Sequence, residues 1–62
     1  MSIAEELVES NPDNAQDLIE DCEKCCIYDY WDDQKYMNIF RFIDGSVLTL
    51  QLKDDYIDVN TY

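Results

Sequence analysis

Apolar positions in the first half of the chain recur at three- and four-residue steps, and from Lys35 onward they alternate. The first spacing belongs to a helix with one buried stripe and the second to a strand with one buried face. Ser2-Ile3-Ala4-Glu5 has the form of a capping box, in which the Ser2 hydroxyl takes an orphan amide and Glu5 reaches back, so a short helix is predicted over residues 3–9. Asn11-Pro12-Asp13 reads as a second start, because Asn caps well, Pro at the first helical position loses no hydrogen bond, and Asp complements the helix dipole. The main helix is predicted over residues 12–27. Ala15, Leu18, Ile19, Cys22, Cys25 and Cys26 form its inward stripe, and Asp13, Asp17, Glu20, Asp21 and Glu23 its outer face.

The alternating half contains Asp44-Gly45, a strong hairpin signal. A two-residue turn there pairs Ile43 with Ser46, Arg41 with Leu48, Ile39 with Leu50 and Met37 with Leu52, a face that is nearly all apolar. A second turn at Asp54-Asp55 pairs Leu52 with Ile57 and Leu50 with Val59, extending that face. The expected strands cover residues 35–43, 46–53 and 56–60. The segment 28–34 reads equally as a fourth edge strand, a last helical turn or an ordered loop. The fold class is therefore α+β: a short and a main helix packed on a three-stranded antiparallel meander, or a four-stranded one, in a single domain spanning residues 1–62.

Composition decides whether such a chain folds. Fifteen acids against four bases and no histidine give a formal charge of −11, which pushes a compact state apart. A hydrophobic fraction of 47% with 13% aromatic residues nevertheless places it among folded domains, not charged disordered segments. A chain of this length buries only roughly 60% of its unfolded surface, so its stability is expected to be thin. The negative field argues against direct binding of nucleic acid or an anionic membrane and favours a basic protein surface. Acids near the N-terminus, the lack of a long apolar run and three closely spaced cysteines fit a cytoplasmic protein with reduced thiols.

Chemistry narrows the choice further. Cys22, Cys25 and Cys26 read as small hydrophobes on the inward stripe, because zinc wants four ligands and the chain has no histidine or other cysteine. No stretch has the ligand order of a calcium loop, and no hydroxyl has a base beside it. No cofactor, no metal and no enzymatic activity are expected.

The placement of the acids carries more information than their number. The meander brings Asp54-Asp55 to the end of the sheet where Asp32-Asp33 lie, and the expectation adds the end of the main helix, with Glu23 and Asp29. Tyr28, Tyr30, Trp31, Tyr36 and Tyr56 interleave with these acids, and such rings are common anchors of protein interfaces. The alternative use of the rings is as core for a small domain. With Asp13, Asp17, Glu20 and Asp21 along the helix, the acids predict a protein-binding module, an inhibitor or DNA mimic occupying a basic surface of a nucleic-acid-handling protein. In size and charge alone the chain resembles phage-encoded anti-defence and host-takeover proteins, which would place it in a host cytoplasm. The second expectation is a structural or assembly subunit, a homodimer included, docking through Phe40, Phe42 and Val47 on the outer face of the sheet.

Overall fold

The computed structural model describes Met1–Tyr62 as two helices and one four-stranded sheet. Helix α1 covers Ile3–Ser10 and opens on the expected capping box: the Glu5 amide donates to Ser2 Oγ at 3.1 Å, and the Ser2 amide donates to Glu5 Oε1 at 3.3 Å. Helix α2 covers Ala15–Cys25, starting three residues later than the Asn11-Pro12-Asp13 signal predicts. Asn14 is its cap, with Oδ1 accepting from the Gln16 and Asp17 amides at 3.0 and 3.2 Å. Asn11 instead closes α1. Its amide donates to Val8 O at 3.2 Å, and its Nδ2 donates to Leu7 O and to Asp21 Oδ2, both at 3.0 Å. Two good N-cap residues stand three positions apart, and the contact with Asp21 engages Asn11 elsewhere.

The chain leaves α2 at Cys26, whose backbone is extended, and enters the sheet directly. Strands β1 (Tyr28–Asp32), β2 (Met37–Arg41), β3 (Val47–Leu52) and β4 (Ile57–Thr61) form an antiparallel meander in chain order. The segment left open in the sequence is thus an edge strand followed by a four-residue turn. In that turn Asp32 Oδ1 accepts from the Gln34 and Lys35 amides at 3.0 and 3.2 Å. The β3–β4 register is the predicted one, with Leu52 opposite Ile57 and Leu50 opposite Val59.

The β2–β3 register differs from the prediction by one residue. Phe40 faces Leu48 and Asn38 faces Leu50. The loop has three residues, Ile43-Asp44-Gly45, closed by Phe42 N–H to Ser46 O and Gly45 N–H to Phe42 O, each 3.0 Å. Gly45 sits at φ 87, the left-handed position that ends a three-residue hairpin. One added loop residue exchanges the two faces of β2. The two-residue register would have turned Arg41 toward the core, where an unpaired guanidinium costs several kcal/mol. The three-residue register turns in Phe40 and Phe42, each contributing about 1.5–3 kcal/mol on burial. Both rings are buried and Arg41 is exposed. The expected docking patch of Phe40, Phe42 and Val47 is therefore not a surface: the two rings are core, and Val47 is half-buried on the opposite face.

The core consists of Ala4, Leu18, Cys22, Phe40, Phe42, Leu48 and Leu50, flanked by Ile3, Leu7, Val8, Ile19, Cys26 and Val59. Burial pushes the Cys22 thiol up to about 12, helped by Cys26, Cys25, Asp21 and Glu23, so it stays a neutral packing group. Cys25, expected on the buried stripe, is exposed on the last residue of α2, where the chain turns away into β1. The N-terminus of α1 is fixed by the hairpin loop. Ile3 N–H donates to Asp44 Oδ2 at 2.9 Å and Ala4 N–H to Ser46 Oγ at 3.2 Å, while Ser46 Oγ donates to Asp44 Oδ1 at 2.6 Å. No helix is long and apolar enough to cross a membrane.

Candidate protein-binding surface

Because the helices cover one side of the sheet, alternation along the strands leaves the other side open. Its cross-strand rows read Tyr28–Arg41–Val47–Tyr62, Tyr30–Ile39–Thr49–Asn60 and Asp32–Met37–Gln51–Asp58. The first row joins two rings and Val47 to one guanidinium, the second adds Tyr30 and Ile39 to the polar Thr49 and Asn60, with Thr49 buried, and the third is bounded by two carboxylates. Tyr28, Tyr30 and Tyr62 are at least half exposed. Tyr62 belongs here because it exchanges both backbone hydrogen bonds with Val47, at 3.0 and 2.8 Å.

The β1–β2 and β3–β4 turns place Asp32-Asp33 and Asp54-Asp55 at the same end of the sheet, the third-row end. Asp32 is half-buried and holds its own turn, and Asp33 accepts a hydrogen bond from the Trp31 indole. Asp54 and Asp55 are exposed and take no part in side-chain hydrogen bonding. Gln51 Nε2 donates to Lys35 O at 3.0 Å and Leu52 N–H to Tyr36 O at 2.8 Å, so strand β3 fixes the turn between β1 and β2. Lys35 and Lys53 flank the cluster and lower its net charge.

The end of α2 does not join this cluster. Since residues 28–32 form a strand that crosses the sheet, Glu23 and Cys25 lie at its opposite end, beside the first residues of β1. Asp29 belongs there too: after burial, its charge is the largest influence raising the Cys26 thiol. The acids of α2 are a separate group on the helix layer. Asp13, Asp17 and Glu20 are exposed, whereas Asp21 is half-buried and bonded to Asn11.

The five predicted aromatic anchors are all exposed but do not share one rim. Tyr28 and Tyr30 lie on the open face, Trp31 on the other side of β1, and Tyr36 and Tyr56 in the two turns of the acidic end. Tyr36 is the one residue other than glycine with positive φ, at 53. That conformation costs a side-chain-bearing residue about 1 kcal/mol or more, and its exposed ring recovers little of this by packing.

Ile39, Met37, Asp58 and Tyr62 escaped the sequence reading. The two-residue hairpin places the first two in the core, whereas the three-residue loop ending in Gly45 places them outside. The surface has no enclosed pocket, and no group of three or more Cys, Asp or Glu side chains is arranged to hold a metal ion. What this arrangement offers is contact: carboxylates for Arg or Lys, and rings beside them for cation–π packing. No protein-family model matches the chain, and no curated protein or solved structure is significantly similar to it.

Proposed function

We propose that this protein is a small acidic binding module that uses the Asp32-Asp33 and Asp54-Asp55 end of its sheet, with Tyr36 and Tyr56, to occupy a basic surface of another protein. The single observation that carries this reading is Tyr36. An exposed tyrosine held in a left-handed turn between two acidic pairs contributes nothing evident to folding, and stability alone would favour Gly or Asn there. The partner fitted by such a surface is a nucleic-acid-handling protein whose phosphate-binding groove the carboxylates fill, with Asp13, Asp17 and Glu20 extending the negative field. The protein then acts as an inhibitor of the DNA-mimic type, the role filled by phage anti-defence proteins of similar size and charge in a host cytoplasm.

A second reading has its own support, the uncovered rings of Tyr28, Tyr30 and Tyr62 on the open face, which suit an assembly subunit or homodimer. One experiment separates the two. The protein is used to capture partners from a bacterial lysate at low salt, and the complex is then titrated against salt. The mimic reading expects affinity to fall steadily with salt and to collapse in an Asp54→Lys, Asp55→Lys variant. Affinity flat in salt, or a complex lost in Ile39→Asp but intact in the charge reversal, would sink it in favour of assembly through the open face.

A further inference from the structure

The sheet has two free edges, and they are not alike. Backbone groups in an antiparallel pair point alternately toward and away from the neighbouring strand. Phe42 N–H bonds Ser46 O and Leu52 N–H bonds Tyr36 O, so the even-numbered residues of β2 face β3. Arg41 O accepts from Ile27 N–H and so faces β1. With Tyr28 opposite Arg41, Tyr30 opposite Ile39 and Asp32 opposite Met37, those three β1 residues direct their backbone groups to β2. Asp29 and Trp31 therefore point both their N–H groups and both their carbonyls outward, along a side that no other strand covers.

Exposed edges are usually blunted by lysine, proline or a covering element. Strand β1 has no lysine and no proline; its charges are Asp29 and Asp32, with Asp33 next in the chain. On a molecule of charge −11 this edge repels a second copy of itself and attracts a cationic strand, so the acids select the occupant without closing the site. Both flanks of the edge offer rings beside carboxylates: Tyr28, Tyr30 and Asp32 on the open side, Asp29 and Trp31 on the other. The β4 edge offers a single acid, Asp58, and no ring within the strand.

We propose that the β1 edge accepts an extended, Arg- or Lys-rich segment of the partner as a fifth strand, hydrogen-bonded to the backbone of Asp29 and Trp31. This rests on the basic partner of the preceding reading and specifies how part of it binds.

The test uses the full chain, ¹⁵N-labelled, and an end-blocked seven-residue peptide alternating Arg and Val. At saturation, amide exchange of Asp29 and Trp31 is expected to slow by roughly tenfold or more while Val59 and Thr61 on β4 stay unchanged. Asp29→Pro removes an outward N–H without breaking the ladder and should weaken peptide binding about fivefold beyond Asp29→Thr, which loses the charge alone. Thr61→Pro on the other edge should leave binding unchanged. Binding with no protection at Asp29 and Trp31, protection at β4 instead, or equal affinity of the Asp29→Pro and Asp29→Thr variants overturns strand addition while leaving acid-driven recognition standing. Protection that grows with protein concentration in the absence of peptide identifies a second copy as occupant and overturns the basic one. Failure of the peptide to bind at low salt overturns both readings.

Discussion

Asp44 at one end of the sheet and Asp54-Asp55 at the other put the same side chain to opposite purposes. At the hairpin end, Asp44 accepts from Ile3 N–H, Ser46 N–H and the Ser46 hydroxyl, at 2.9, 2.9 and 2.6 Å, and so ties the β2–β3 loop to the start of α1. At the other end, Asp54 and Asp55 are bonded to nothing in the chain. A formal charge of −11 is therefore not one property. Some of its carboxylates are structural parts, and the remainder are surface that folding does not require. The distinction rests on nearby donors: the start of α1 and Ser46 present theirs to Asp44, and the Gln34 and Lys35 amides of its own turn serve Asp32, whereas the Asp54 and Asp55 carboxylates take no part in hydrogen bonding.

The largest test of this contrast is a truncation at each end. Phe42 lies fully buried next to the Asp44 loop, and Phe42→Ala should cost about 3–5 kcal/mol in urea unfolding. In so small a domain that would leave most molecules unfolded. Tyr56→Ala in the opposite turn should change stability by less than about 0.5 kcal/mol. Comparable losses at the two ends would mean that the acidic end is structural as well.

A subtler test uses pH. Hydrogen bonds from Ser46 and Ile3 hold the Asp44 carboxyl below its ordinary value of 3.8. A carboxyl with a depressed native pKa stabilises the fold above its unfolded pKa, and that contribution is lost as pH falls through the native value. Asp44→Asn should thus be less stable than the parent at neutral pH, and the gap should close on acidification below the ordinary carboxyl range. Thermal unfolding across pH checks this; a gap that persists unchanged in acid would show that Asp44 acts through shape and not charge. The same substitution at Asp54 or Asp55 should leave stability level or slightly raised, because it only relieves repulsion.

A small effect of the opposite sign is expected at Tyr36. Replacing it with Gly relieves the left-handed strain at φ 53, partly offset by the greater freedom of the unfolded chain, and should raise stability by up to about 1 kcal/mol. Partner affinity should fall in the same variant. A Tyr36→Gly protein that loses stability would show that the ring packs usefully and would remove the observation on which the binding surface rests.

Several parts of this picture were legible in the order of residues. The α1 capping box, the stripe through Leu18 and Cys22, and the Leu52–Ile57 register all follow from signals that act over a few positions. The location of Asp32-Asp33 and Asp54-Asp55 at one end of the sheet followed as well, because any meander returns alternate turns to one end. The course of residues 28–34 was not legible: Tyr28-Asp29-Tyr30-Trp31 has no buried side to set a period, and all four are exposed in the folded chain. That ambiguity displaced the end of α2, which the strand carries to the far end from the acidic turns.

The chain by itself determined its class, its charge, its helix stripe and the outward placement of most acids, since these depend on local caps and spacing. Only the tertiary structure decided which face of β2 is inside, because Asp44-Gly45 serves a two-residue and a three-residue loop equally well. The choice falls to whichever side chains the helices can cover, Phe40 and Phe42 or Ile39 and Arg41. That comparison involves residues on α1 and α2, far away in sequence, and it fixes which rings remain outside for a partner.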